Sequence, residues 1–254
     1  MEVTKEQILK AVTDSGFLME QEVATTFENL SFHVSTNVAF EDSEEGKSRE
    51  TDVYAFKRIY VNESTKIIID VMFLCECKNN TNPFVFISRN KNATEKNFIP
   101  NGVVLAKDEF EIPLKDKPNV ISIQKAFQVL QLNDYHHYFK TEQKAVQFCK
   151  IIRQGKDFKA QHDGIYDGIF LPLAKAFEAK RKDVQNNKYS HNIISLLYPA
   201  VILNSEIYNI DSKSPKPEEK QYISFRREIK SKQLKGQFLI EFINIRCYRK
   251  ILPK

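Results

Sequence analysis

Apolar positions recur with different periods along the chain, and each period marks a kind of element. Over residues 4–30 the spacing is helical: Thr4 and Gln7 offer a capping box, and Ile8, Leu9 and Val12 follow on one face. Asp14-Ser15-Gly16 interrupts this and supplies a fresh cap, so the pattern predicts a short helix and then a second one over 17–29. A strand is predicted over 32–40, a charged loop over 41–48 and another strand over 51–61, closed by the turn chemistry of Asn62, Glu63, Ser64 and Thr65. Residues 66–78 are nearly continuous in Ile, Val, Met, Phe and Leu, as expected of a central strand covered on both faces.

Past residue 78 a polar break at 79–82 precedes a short apolar segment at 83–87, and 88–118 is irregular, with Pro100, Pro113 and Pro118. Periodicity predicts helices over 124–152 and 166–185. Residues 193–210 read as a strand pair or one long strand bent at Pro199, 211–221 as a charged, proline-containing loop, and 238–246 as a last strong strand. That strand is too short to fold without a sheet to join. The expectation is therefore one α/β domain over 1–254, with C-terminal strands extending the N-terminal sheet; no internal repeat divides the chain.

Composition narrows the class. With 42% apolar and 28% charged residues the chain is an ordinary globular protein. No apolar run approaches the roughly 20 residues that span a bilayer, and the first residues lack the basic-then-apolar order of a secretory signal. Cys75, Cys77, Cys149 and Cys247 are too sparse for a disulfide framework. A cytoplasmic protein with no membrane partner is expected. The net charge of +5 does not by itself call for nucleic acid, because a solubilising surface accounts for it.

An acid followed two positions later by lysine occurs eight times, at Glu45, Glu76, Glu142, Asp157, Glu178, Asp211, Glu218 and Glu228. Only Glu76 stands at the end of an apolar strand. Residues two apart on a strand share a face, so Glu76 and Lys78 project together while Cys75 and Cys77 face the other way. A carboxylate and an ammonium beside an apolar sheet are costly unless paired or bound to an ion. Arg49-Glu50-Thr51-Asp52 opens the preceding strand, which places Asp52 at its mouth, opposite Glu76. A plainer reading is an ion pair at a strand end, with Asp52 capping a turn.

This order resembles the PD-(D/E)xK, or restriction-endonuclease-like, superfamily. The matching pieces are Gly16, Phe17, Leu18, Met19, Glu20 and Val23; Arg49-Glu50-Thr51-Asp52-Val53-Tyr54; and Leu74-Cys75-Glu76-Cys77-Lys78. They span a nuclease core at about residues 16–87, and no proline precedes Asp52. The resemblance implies a mixed central sheet flanked by helices and Mg²⁺-dependent hydrolysis of phosphodiester bonds in nucleic acid, DNA foremost. Restriction or defence is a role the family suggests, and a homodimer an assembly it admits. Asp52, Glu76 and the Cys77 backbone carbonyl would hold Mg²⁺, with Mn²⁺ as a substitute. Lys78 would orient the attacking water. Carboxylates about 5 Å apart repel by roughly 3 kcal/mol at an effective dielectric near 20, so such a cluster favours a cation. A helix glutamate completes the set. At about 100° per residue Glu20 falls among Val23, Ala24, Phe27 and Leu30, whereas Glu22 lies with Thr25 and Thr26 towards solvent. The rival class is a non-catalytic binding or assembly module that keeps the fold.

Other candidates carry less. Alternation makes Cys75 and Cys77 buried apolar side chains rather than metal ligands. His136 and His137, on the helix predicted there, diverge too far to ligate jointly and read as surface or interface residues. Arg226, Arg227, Lys230, Lys232 and Lys235 form a basic stretch that suits either phosphate contact or a solvated face. Seven glycines, none in a phosphate loop, leave little room for nucleotide-binding architecture.

Overall fold

The computed structural model describes residues 3–105, 107–186 and 192–246. Two helices open the chain, α1 (Lys5–Ser15) and α2 (Phe17–Asn29). Thr4 and Gln7 close the capping box of α1. Gly16, at φ +93°, ends α1 and starts α2 in a left-handed conformation that costs glycine little. A Cβ at this position would stand 3.3 Å from that of Asn79.

Then come β1 (His33–Asp42), β2 (Lys47–Asn62), β3 (Ile67–Lys78), β4 (Phe84–Asn90), α3 (Ala93–Lys96), β5 (Val103–Leu105), the hairpin β6 (Glu109–Leu114) and β7 (Lys117–Lys125), and α4 (Ala126–Val129). Two 3₁₀ turns lead into β8 (Gln143–Gln154) and β9 (Asp157–Gln161). A π-helical turn, Tyr166–Phe170, runs into α5 (Leu171–Asn186). The chain closes with β10 (Asn192–Leu203), β11 (Ile207–Asp211), β12 (Ser214–Lys220), β13 (Tyr222–Lys230) and β14 (Lys235–Asn244).

Twelve strands form one mixed sheet in the order β1-β2-β3-β10-β14-β13-β8-β4-β11-β12, with β5 on β10 and β9 on β8. The apolar strand β3 pairs with β2 antiparallel and with β10 parallel, the latter from Ile67 to Lys78 without a slip. β14 lies between β10 and β13, so the C-terminal strands do extend the N-terminal ones. Each face of the sheet has its own core. Met19, Val23 and Phe27 of α2 pack with Val53, Cys75, Ala200 and Ile202 on one face. Phe170, Leu173 and Phe177 pack with Met72, Leu74, Val201, Phe225 and Phe242 on the other. A nearly continuous apolar β3 is what a strand buried on both faces requires. No helix among the described residues is long and apolar enough to cross a membrane.

Several expectations fail for identifiable reasons. Residues 124–152 are not one helix but the end of β7, the single turn of α4, two 3₁₀ turns and most of β8. β8 pairs Ile87 with Gln147 and Ser88 with Ala145, leaving Val146 as an extra residue in a bulge. That bulge breaks the two-residue alternation and leaves Ala145, Phe148, Cys149 and Ile152 at helix-like spacing. The supposed loop at 211–221 contains β12, whose Pro215 and Pro217 are tolerated because it is an edge strand. Pro199 does not bend β10, which pairs with β3 on both sides of it. The charged loop at 41–48 is a tight turn around a buried Asp42, which accepts the Glu44 amide at 3.0 Å, Arg49 Nε at 2.6 Å and Lys175 Nζ of α5 at 2.8 Å. Those donors hold the Asp42 carboxyl down at about 2 although burial pushes it up.

His136 and His137 are half-buried, not on a helix surface, and their rings stack at 4.4 Å. His137 Nε2 lies 2.6 Å from Oε1 of the buried Glu241, whose other oxygen accepts the Ser224 hydroxyl at 2.7 Å. Burial and the neighbouring His137 push His136 down to about 3. Glu241 aligns with Ala200, and Ala200 with Cys75, so this pair sits on the sheet face opposite Glu76.

Candidate active site

The β2–β3 ladder stops at Val53↔Cys75. Continuing the register puts Asp52 across from Glu76, but the carboxylate of Asp52 turns to the next amide instead and accepts the Cys77 N–H at 2.6 Å. Lys78 Nζ donates to Glu76 Oε1 at 2.5 Å. The amide of Asn204, beyond β10, donates to the Lys78 carbonyl at 3.3 Å, so the even residues of this stretch turn their backbone groups to β10. Strand alternation then directs the Cys77 carbonyl to the β2 side, where its own amide already meets Asp52.

Asn79, just after β3, fixes the helices to this strand end. Its side-chain amide donates to the Thr13 carbonyl at 2.6 Å and accepts from Asn204 at 2.9 Å. The α1–α2 junction is thereby held against the tip of β3, and Glu20, in the first turn of α2, is delivered to the cleft. Glu20 is half-buried beside Met19, Val23 and Ala24, while Glu22 is exposed. One detail of the helix register differs from expectation: Thr26 is buried, its hydroxyl bonded back to the Glu22 carbonyl at 2.8 Å.

Glu20, Asp52, Glu76, Cys77 and Lys78 all line one open cleft of about 680 Å³. Comparison with protein-family models, curated proteins and solved structures finds no match. The reading therefore rests on the chemistry of the cleft.

All three carboxyls are displaced upwards. Burial raises Asp52, against the pull of the Cys77 amide and Lys78. Burial and the charge of Asp52 raise Glu76, against Lys78. Glu20 is raised by burial and by Asp52. The single ammonium of Lys78 does not offset three carboxylates, and a further positive charge would.

The donor set suits a hard cation. No three His, Cys, Asp or Glu side chains among the described residues form a ready-made metal cage. Mg²⁺ does not require one, since it binds through one or two carboxylates and keeps several waters. Asp52 spends one oxygen on the Cys77 amide and Glu76 one on Lys78, which leaves Asp52 Oδ1 and Glu76 Oε2 without a hydrogen-bond partner among the described residues.

The far wall of the cleft had no counterpart in the sequence pattern. Lys150 of β8, Gln161 at the end of β9, Asp163, Gly164, Ile165 and Ile169 line it. Lys150 fell within a predicted helix, and only the pairing Phe84↔Lys150 brings it round to the cleft. The C-terminal basic stretch goes elsewhere: Arg226 lies 4.6 Å over the Phe98 ring and Arg227 4.2 Å over Tyr166. Cys75 is buried and Cys77 packs at the margin of the same core, as alternation predicted.

The two helix glutamates separate in a direct test. Glu20→Gln is expected to slow phosphodiester cleavage by about 10- to 100-fold, the usual effect of removing an outer partner of a metal site. Glu22→Gln should stay within about twofold of wild type, since an exposed position away from the cleft carries little. Steady-state rates on one DNA substrate decide it, and a silent Glu20→Gln removes Glu20 from the site.

Proposed function

We propose that this chain is a Mg²⁺-dependent nuclease of the restriction-endonuclease-like, PD-(D/E)xK kind, acting on DNA. The observation that carries the reading is the end of β3. Asp52 closes on the Cys77 amide at 2.6 Å, across from Glu76 and Lys78, in a cleft where three carboxyls are held above their ordinary range. Support for the fold assignment comes from the helix–strand–strand–strand order before this point and the two-sided burial of β3.

In this reading Asp52, Glu76 and the Cys77 carbonyl would hold the ion, and Glu20 would join them directly or through a bound water. Bound Mg²⁺ supplies Lewis acidity towards water and a phosphoryl oxygen. Lys78, tethered by Glu76, places its ammonium where it orients the water and offsets charge on the phosphoryl group. The water oxygen bonds to phosphorus and gives up a proton, the phosphorus bond to a deoxyribose oxygen breaks, and that leaving oxygen takes up a proton. Incubation with circular, linear and single-stranded DNA and with RNA, in Mg²⁺, Mn²⁺ or EDTA, tests the proposal. Cleavage that needs the divalent ion supports it. Metal binding without cleavage of any substrate overturns it in favour of a non-catalytic module.

Lys78 separates chemistry from ligation. Lys78→Ala is expected to cost about 10²- to 10³-fold in turnover, comparable to loss of one transition-state donor. Mn²⁺ affinity by calorimetry should stay close to wild type, because an ammonium is no metal ligand. Equal loss of Mn²⁺ affinity in Lys78→Ala and Asp52→Ala would point to a collapsed site.

A further inference from the structure

Beyond Lys150 the strand β8 leaves its partner β4 and continues with β9 alone. The pairing with β4 runs out at Phe84↔Lys150, while Lys150–Gln154 remains paired with Asp157–Gln161. The result is a two-stranded ribbon that projects from the rim of the cleft. Every residue from 153 to 164 is exposed. A ribbon of this size is not stable through its own burial, yet its composition is not that of a bare turn. Lys150, Arg153, Lys156 and Lys159 lie along it against the single acid Asp157. Lys150, Lys156 and Lys159 make no ion pair among the described residues. Phe158, at 72% exposure, lies across from Arg153.

Cross-strand partners share a face, so the two faces can be told apart. Lys150 and its partner Gln161 both line the cleft. Lys159, two residues before Gln161, projects from that same face, opposite the wall that carries Glu76 and Lys78. Arg153 and Phe158 occupy the other face, and Lys156 lies in the turn. The cleft thus has an acidic wall suited to a cation and, opposite it, a ribbon whose four cations outnumber its acid: Lys150 and Lys159 share the cleft face with Asp157, and Asp163 follows at the base.

We propose that the β8–β9 ribbon is a duplex-DNA arm that enters the major groove while the adjoining backbone passes through the cleft. The B-form major groove admits a two-stranded ribbon. The deep, narrow major groove of duplex RNA does not. Single strands are held by several aromatics on which successive bases stack, and this ribbon offers one. Lys150 and Lys159 then meet phosphates on the cleft side. Arg153 and Lys156 reach backbone or base edges at the tip, and Phe158 makes an apolar contact such as a thymine methyl provides. The proposal takes the placement of the scissile phosphate from the nuclease reading, but the binding it asserts can be measured without turnover.

The test is fluorescence anisotropy of a labelled DNA duplex with the full chain in EDTA, between 50 and 200 mM salt. The variants are Lys150→Ala, Phe158→Ala and the triple substitution Arg153→Ser, Lys156→Ser, Lys159→Ser. None replaces Gly155 itself; Arg153→Ser does remove the Nε hydrogen bond to the Gly155 carbonyl at 3.1 Å, and circular dichroism checks that the fold survives. For each lost phosphate contact the slope of log affinity on log salt should shrink by about 0.9. Lys150→Ala should show one such step, and the triple variant should bind at least about tenfold more weakly. Phe158→Ala should weaken binding without changing the slope. A triple variant with wild-type affinity and slope overturns the arm, as does tighter binding of single strand than of duplex. Duplex binding through the ribbon with no cleavage under any metal would sink only the nuclease reading. Cleavage that persists while ribbon substitutions leave binding unchanged would sink only the arm.

Discussion

Glu76→Gln in the full chain is expected to reduce cleavage to background, a loss of at least about 10³-fold, because both the ion and the tether of Lys78 go with the carboxylate. The metal-free protein should respond in the opposite sense. Glu76 is pushed up by burial and by Asp52 more than Lys78 pulls it down, so its ionised form opposes folding at neutral pH. A carboxyl whose folded pKa is raised contributes stability that is full below the ordinary carboxylate range and is lost as pH rises through the raised value. As pH falls from neutral towards that range, the stability of the metal-free wild type should therefore gain on that of Glu76→Gln, a difference from which the opposing contribution of His136, common to both chains, drops out. At pH 7 the variant's Tm should match or exceed that of wild type, by about 2–4 °C for each kcal/mol of repulsion relieved. With Mg²⁺ the order inverts, since the ion requires the ionised acids and stabilises only the chain that retains them. Wild-type activity that survives excess EDTA would falsify the metal assignment. A metal-free Glu76→Gln protein that melts below wild type would show that the Lys78 pair outweighs the carboxylate repulsion.

That contrast can be designed at all because the candidate site at the end of β3 was legible in the sequence. Its apolar run predicts burial on both faces, and two-residue alternation then separates Glu76 and Lys78 from Cys75 and Cys77. The helix register was nearly as clear: Glu20 faces the cleft and Glu22 the solvent, although Thr26 joins the buried side by returning its hydroxyl to the backbone. These features depend on local spacing and are set by neighbours a few residues away.

The far wall depends on something else. Lys150 reaches the cleft through a register between β8 and β4 that a single bulge at Val146 adjusts, and the same bulge disguises the strand as a helix. Asp42 illustrates the same limit. Within a run of acids it reads as solvated loop, but its burial is compensated by Lys175, 133 residues along the chain. Long-range pairings of this kind leave no periodic trace, because each side of the pair satisfies its own local pattern. The half of the chain without a recognisable motif was for this reason the half whose elements were misassigned.

Ending the chain before Tyr222 is expected to leave no cooperatively folded protein, even though the proposed catalytic residues all precede residue 79. The deletion removes β13 and β14, and β14 is not an edge strand: it fills the position between β10 and β13 near the middle of the sheet. Its parallel pairing with β10 runs over Ala200–Leu203, the segment that also supports Glu76 and Lys78 through Val201 and Leu203. Four fully or almost fully buried side chains, Phe225, Phe238, Ile240 and Phe242, would be lost. At about 1.5–3 kcal/mol each, their burial contributes on the order of 6–12 kcal/mol. A domain is stable by only about 5–15 kcal/mol in total. Two further costs have the same sign: the buried edge of β10 is left unpaired, and His137 loses Glu241. Urea titration followed by circular dichroism should show no cooperative transition for the truncated chain. Phe242→Ala, which removes one of these side chains and keeps both strands, should keep the transition at a midpoint lowered by about 3–5 kcal/mol of stability. Should the truncated chain instead unfold cooperatively and retain metal-dependent cleavage, residues 1–221 would be a self-sufficient nuclease, and the pairing of β14 with β10 would join two independently stable units.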